Sequence, residues 1–282
     1  MNISLVVNFE KDNSKAIAIE VIELLTKQNV SVFTNSSTAE LIDNNNIKIV
    51  DDIVSVCDML VVIGGDGTII HTAKKATQFD KPVLGINSGR IGYLAALKCD
   101  ELDMISKIVT GEYFTEERIM LSVEVESKAE KKEFVAFNDA VICKGAISRM
   151  IDIDLTLDNH SLRYRADGLI VSTPTGSSAY SLSAGGPLLD PRLDNLLITP
   201  ICPYTYLNKA MVIPSSTDME ISVDTDCSKE AYLTVDGEVA VKILSGDRIR
   251  IKRSDTTVKL VKLKSESIFK RLEAKILQEV NK

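Results

Sequence analysis

The sequence has little of what several functional classes require. Its 282 residues include two histidines, His71 and His160, too few for a histidine-built metal centre, so any general base falls to a carboxylate. The five cysteines (Cys57, Cys99, Cys143, Cys202, Cys227) are scattered, with neither a zinc-like spacing nor a paired framework. They read as reduced cytoplasmic thiols, mostly packed as small hydrophobes. No apolar run is long enough to span a bilayer, and Met1-Asn2-Ile3 reads as the start of a strand rather than of a signal peptide. The net charge is −7 and no basic stripe is present, which excludes a nucleic-acid surface but not a nucleotide held by a few local donors. Internal repeats, low-complexity tracts and long linkers are also missing. What remains, 45% apolar and 26% charged residues, is the composition of an ordinary soluble enzyme. The chain is long enough for two cores, since single cores stop growing near ~250–300 residues.

The two halves have different periods. In the first, strand signals (3–7, 30–33, 47–50, 60–63 and 82–86, with a further run at 53–57) are interleaved with helix signals at 14–27, 68–76 and 101–109. Ile17, Val21, Leu24 and Leu25 share one helix face, and Gly111 closes the last helix. Such alternation predicts a doubly wound, Rossmann-like parallel sheet, with ligands at the carboxyl ends of its strands. Beyond residue 113 the pattern turns to short extended runs at 120–126, 133–143, 151–157, 161–165 and 169–172. Further on, runs at 232–235 and 239–243 flank Asp236-Gly237, a strong hairpin signal, and 248–252 and 258–263 follow. This predicts a β-rich, sandwich-like second domain. Ile268, Leu272, Ile276 and Val280 recur every four residues after Ser265 and Ser267, predicting a C-terminal helix that packs back on the first domain. The expected division is 1–112 plus 265–282, and 113–264.

Four clusters carry chemistry. The buried-strand run Met59-Leu60-Val61-Val62-Ile63 ends in Gly64-Gly65-Asp66-Gly67-Thr68 at a helix start. Glycines let a backbone approach phosphate, and the first helical N–H groups point outward without partners. A carboxylate within such a loop would repel phosphate, so Asp66 needs another use: holding a metal, or taking a proton from an attacking alcohol. The bland alternative makes Asp66 the helix N-cap. Asn87-Ser88-Gly89-Arg90-Ile91-Gly92-Tyr93-Leu94 follows the next strand and falls on the same sheet edge. Asn138-Asp139 interrupts an apolar run, where burial without partners would be costly, so it is a bulge or a site. The run from Asp167 to Pro187 contains Ser172-Thr173-Pro174-Thr175-Gly176-Ser177-Ser178-Ala179-Tyr180-Ser181-Leu182-Ser183. Its small hydroxyl residues at a strand-to-helix turn offer short-range donors and acceptors and leave room for a planar ligand beside Tyr180.

In combination and order, these clusters resemble the NAD kinase family over residues 61–238. The glycine–aspartate loop is shared with lipid kinases, whereas the 167–187 run is far more specific. The resemblance implies an N-terminal α/β domain, a β-rich C-terminal domain, and transfer of a phosphoryl group to the 2′-hydroxyl of the adenosine ribose of NAD, giving NADP. The donor is ATP, another nucleoside triphosphate or polyphosphate, with Mg²⁺ or another divalent cation. Asp66 matches the family's base and Gly67 an adjacent contact, with Gly64, Gly65, Gly67 and Thr68 as the phosphate loop. His71, Asn138, Asp139, Asp167, Ser178, Ala179, Tyr180, Ser181, Leu182 and Ser183 match positions that meet the dinucleotide. Arg149 and Arg165 match positions reaching it, in some members from a neighbouring subunit, and the family assembles as homodimers or homotetramers. Three positions depart from its pattern: Tyr93 for the common Phe, Tyr204 for His, and Glu238 for Gln. They bear on substrate and effector preference rather than on the reaction. Two rivals remain on residues alone. A lipid kinase would need a membrane-facing surface that the sequence lacks. A dinucleotide sensor would have lost its base, yet Asp66 is present with its glycines.

Overall fold

The computed structural model describes the chain except for residues 12, 90–91, 129, 147–148, 205–207, 225–229, 266–269, 271–272 and 274–282, and the side chain of Val239. The C-terminal helix expected from the sequence lies outside the described residues. The chain divides into two compact units, Met1–Glu117 with Val258–Lys282, and Arg118–Thr257. No helix among the described residues is long and apolar enough to cross a membrane.

The first unit opens with β1 (Asn2–Val7), α1 (Ser14–Thr26), β2 (Ser31–Thr34), α2 (Ser36–Ile42), β3 (Ile47–Ile49) and β4 (Met59–Gly64). It continues with α3 (Asp66–Ala76), β5 (Val83–Asn87), β6 (Leu97–Lys98) and α4 (Ser106–Thr110). Residues 53–56, part of an extended-looking run, form turns instead. All of β4 is buried, which is why its sequence is uninterruptedly apolar. Helix α1 buries Ile17, Ala18, Val21, Ile22 and Leu25 at helical spacing. Gly111, in the left-handed region at φ 76°, terminates α4. The strands run in the order β3-β2-β1-β4-β5, all parallel. The chain leaves β1 toward β2 on one side and returns to β4 on the other. This reversal makes the carboxyl ends of β1 and β4 a topological switch point, where open α/β sheets bind ligands.

The second unit holds β7 (Phe114–Glu126, from Arg118 onward), β8 (Lys131–Ala136), β9 (Asp139–Lys144), β10 (Ile151–Leu157), β11 (His160–Ala166) and β12 (Gly168–Ser172). After α5 (Tyr180–Ser183) come β13 (Asn195–Ile201), β14 (Met211–Pro214), β15 (Met219–Asp224), β16 (Ala231–Val235), β17 (Val239–Ile243) and β18 (Arg248–Lys262). The last residues of β18 belong to the first unit, where Leu260 pairs in parallel with Val83 of β5. One antiparallel sheet is ordered β14-β13-β12-β9-β16-β17, and β11-β10-β15-β18 forms a second run. Leu121, Ile142, Ile153, Leu169, Ile198, Leu233 and Ile249, drawn from both, bury into a single core. Sheet on sheet around alternating inward residues is the sandwich expected from the two-residue period. The apolar run 133–143 is not one strand: Phe137 and Asn138 bend between β8 and β9.

Candidate functional site

In the first unit, the chain turns directly from β4 into α3. Gly65, with extended backbone (φ −97°, ψ −178°), occupies the N-cap, so Asp66 is the first helical residue rather than the cap. The glycines of this loop separate by cause. A methyl group on Gly64 would lie 2.7 Å from Thr68 Oγ1, so packing alone demands glycine there. Gly65 and Gly67 would meet nothing within 4 Å, and neither has a left-handed φ. The fold does not require glycine at either position, whereas close approach of a ligand to the backbone would. Asn8, just beyond β1, donates from Nδ2 to Thr68 Oγ1 at 3.2 Å and ties the two sides of the switch point together.

The connection after β5 closes over Asp66. Tyr93 N–H donates to Asp66 Oδ2 at 2.8 Å, and Leu94 N–H donates to Oδ1 at 3.2 Å. Asn87 Oδ1 accepts from Gly89 N–H at 2.9 Å and turns the chain at the strand end. His71 is exposed on α3, five residues after Asp66.

In the second unit, Asn138 and Asp139 are held by Asp236. Its carboxylate accepts backbone N–H groups from Phe137 (2.9 Å), Asn138 (2.7 Å) and Asp139 (3.2 Å). Thr173 grips the same bend from the other side: its N–H donates to Asn138 O at 2.9 Å and its hydroxyl to Phe137 O at 2.7 Å. Gly176 then packs so close that a Cβ would sit 2.7 Å from Asn138 Cα. Asp139 is only 6% exposed, and burial, with Asp236 adding like-charge repulsion, pushes its carboxyl up to about 7. Directly opposite Asp139 in the β9–β12 ladder is Ser172. The hydroxyls of Ser172 and of nearby Thr175 are buried with no hydrogen-bond partner among the described residues. Two buried hydroxyls without partners, one of them on the residue facing a buried carboxylate, are costly to the fold, and such cost concentrates at sites kept for a ligand.

The remaining candidates separate. Asp167 pairs with Lys144 Nζ at 2.8 Å, at the other end of β9 and β12 from Asp139, about five residue steps or ~17 Å away. Arg165 is exposed on β11 opposite Asp152, and its carbonyl accepts from Tyr204 N–H at 2.7 Å. Arg149 is exposed between β9 and β10. Along the small-residue turn, Ser178 and Ala179 are half-buried, while Tyr180, Leu182 and Ser183 are exposed. Ser181 is fully buried, its hydroxyl 2.7 Å from Thr199 Oγ1, with Gly186 packed against both. It braces the turn from inside. Sequence reading missed Asp236, Asn8 and Lys144. Asp236-Gly237 carried a hairpin signal that concealed the second use of its carboxylate, whereas Asn8 could have been found from the switch-point rule alone.

Known proteins align with both units. The ATP-NAD kinase N-terminal domain family matches residues 3–113, and the ATP-NAD kinase C-terminal domain family matches residues 137–263. An NAD kinase of Natranaerobius thermophilus is 35% identical over 98% of this chain and 97% of its own length. One of Geotalea daltonii is 38% identical over 92% of each. Among solved structures, yeast NADH kinase complexed with NADH superposes with a TM-score of 0.89 at 26% identity, covering 99% of this chain and 87% of that one. An NAD kinase from Archaeoglobus fulgidus in complex with ATP gives 0.75 at 26% identity, covering 98% and 99%. From the glycine–aspartate loop to the orphaned hydroxyls, the chain belongs to the NAD kinase family.

Proposed function

We propose that this kinase transfers the γ-phosphoryl group of ATP to the 2′-hydroxyl of the adenosine ribose of NAD, giving NADP and ADP. Asp66 supplies the general base. The observation that carries this is a fixed carboxylate one residue from two glycines, Gly65 and Gly67, that the fold itself does not need. Asp66 takes the hydroxyl proton as that oxygen bonds to phosphorus and the bond to the bridging oxygen of the leaving ADP breaks. The Gly64–Thr68 backbone and the N-terminus of α3 receive phosphate oxygens, with donors already directed and no side-chain cap competing for them. Asn138 and Asp139 bind the dinucleotide's hydroxyls, with Ser172 and Thr175 available as further partners. Asp167, with its carboxylate oriented by Lys144, meets the carboxamide at the other end of an extended NAD. Ser178, Ala179 and Tyr180 line the ligand, with Leu182 and Ser183 beside them and His71, Arg149 and Arg165 reaching toward its phosphates.

No group of three or more His, Cys, Asp or Glu side chains placed to hold a metal occurs among the described residues. Mg²⁺ would be carried mainly on the nucleotide's own phosphates, and Asp66 is the carboxylate of the loop that would receive them. The ion, when bound, neutralises phosphate charge. The same reading includes a homodimer or homotetramer in the cytoplasm. Purified protein with NAD, magnesium and either ATP or polyphosphate, read by an NADP-specific dehydrogenase, tests the reaction. NADP should form with ATP; NADP from polyphosphate alone would replace the donor while keeping the acceptor reaction, and none from either, by folded protein that binds NAD, would contradict the proposal.

A further inference from the structure

We propose that Gly92, Tyr93 and Leu94 form a positioning element for Asp66, so that the second half of the Asn-x-Gly-x-x-Gly-Tyr-Leu segment serves the base rather than the ligand. This rests on the reading of Asp66 as the base. A carboxylate at the first residue of a helix can rotate about two side-chain bonds, and only a narrow range directs a lone pair at an incoming hydroxyl. Here each oxygen receives one backbone N–H, from Tyr93 to Oδ2 and from Leu94 to Oδ1. Two bonds on two different oxygens fix the plane of the carboxylate. They occupy two of its roughly four acceptor sites and leave the others for the substrate.

Gly92 makes that approach possible. Its φ is not in the left-handed region, so its conformation is open to any residue. Space is what it lacks: a Cβ would stand 2.6 Å from Asp66 Cγ and 2.7 Å from Oδ2. Gly89, three residues earlier, would meet nothing within 4 Å. The two glycines of one motif therefore have different duties, and that of Gly92 is contact with the carboxylate. A methyl group there displaces Asp66 or lifts the two amides from it. Misplacing a catalytic group by about 1 Å costs roughly 10² in rate.

The experiment is a double-mutant cycle on the full-length protein: wild type, Gly92→Ala, Asp66→Ala and the double variant, with kcat, KM for NAD and thermal unfolding measured for each. Gly92→Ala should lower kcat about 10²-fold with KM for NAD changed less than about 3-fold. In the Asp66→Ala background, where the base is gone and space is freed, it should change nothing further. Wild-type kcat in Gly92→Ala, or an equal loss in both backgrounds, overturns the inference while leaving the base intact. Near-normal turnover by Asp66→Ala removes the base and the positioning role with it. If Gly92→Ala does not fold, refolding in the Asp66→Ala background supports the contact, and failure to refold there counts against it.

Discussion

Asp139→Asn should make the ligand-free protein more stable at pH 8 and leave it nearly unchanged at pH 4. Asp139 begins β9 with 6% of its surface exposed, beside a second carboxylate, Asp236, whose oxygens already accept three backbone N–H groups. Burial first, and Asp236 second, raise its carboxyl to about 7. Unfolded, the group titrates near ~3.9. Between those values the folded chain keeps a proton that the unfolded chain has released. Stability therefore falls as pH rises through this window: Asp139 costs nothing below about 4 and costs its full penalty above about 7. The displacement corresponds to on the order of 4 kcal/mol, and relaxation around the ionised group reduces what is observed to about 2–4 kcal/mol. Asn has nearly the same shape and no charge, so it escapes the penalty. Urea unfolding of the ligand-free protein and the variant across pH 4–8, followed by circular dichroism, reads the difference directly. A difference that does not change with pH, or a variant less stable than wild type at pH 8, would refute the reasoning. On the proposed reading, in which Asp139 binds a hydroxyl of NAD, the same substitution should also weaken NAD binding.

Asp236→Ala removes the acceptor of three N–H groups and should destabilise the chain by about 2–4 kcal/mol, the half-exposed position tempering the loss, while raising KM for NAD; thermal unfolding and initial rates check both. Gly176→Ala and Gly67→Ala should part company in the same assays. The first drives a methyl into the Asn138 backbone and should cost about 1–3 kcal/mol of stability. The second has open space and should unfold within about 0.5–1 kcal/mol of wild type while losing most of its activity.

Where structure depends on local pattern, the sequence was legible. β4 is buried on both faces and reads as unbroken apolar residues. β10 and β17 alternate or sit beside an Asp-Gly turn, and both appear at the positions expected. Four strands escaped. β13 contains Pro200, which argues against a strand in isolation, and β6 and β14, of two and four residues, are too short to show a period. β15 alternates buried Met219, Ile221 and Val223 directly after the Pro214–Asp218 turn cluster and was open to reading. α2 was missed because its seven residues bury only Thr38 and Ile42, too little for a visible stripe. The break between β8 and β9 was half legible: Asn138-Asp139 marks a bulge or a site, but Phe137 continues the apolar run and hides where the first strand stops. What makes it is Asp236, 97 to 99 positions further along the chain. The site divides in the same way: Asp66, Asn138 and Asp139 stand in recognisable motifs. The groups that orient them (Asp236, Tyr93 N–H and Leu94 N–H) act through tertiary contacts that no window of sequence contains.

The central claim, that Asp66 removes the proton from the 2′-hydroxyl, is tested most directly by Asp66→Asn, which keeps the size of the side chain and removes its basicity together with one of the two backbone N–H bonds it accepts. Turnover of NAD to NADP should fall by roughly 10²–10⁴ while the dissociation constant for NAD stays within a few-fold of wild type. Turnover within a few-fold of wild type, from a variant that binds NAD normally, would contradict the account and move the base elsewhere.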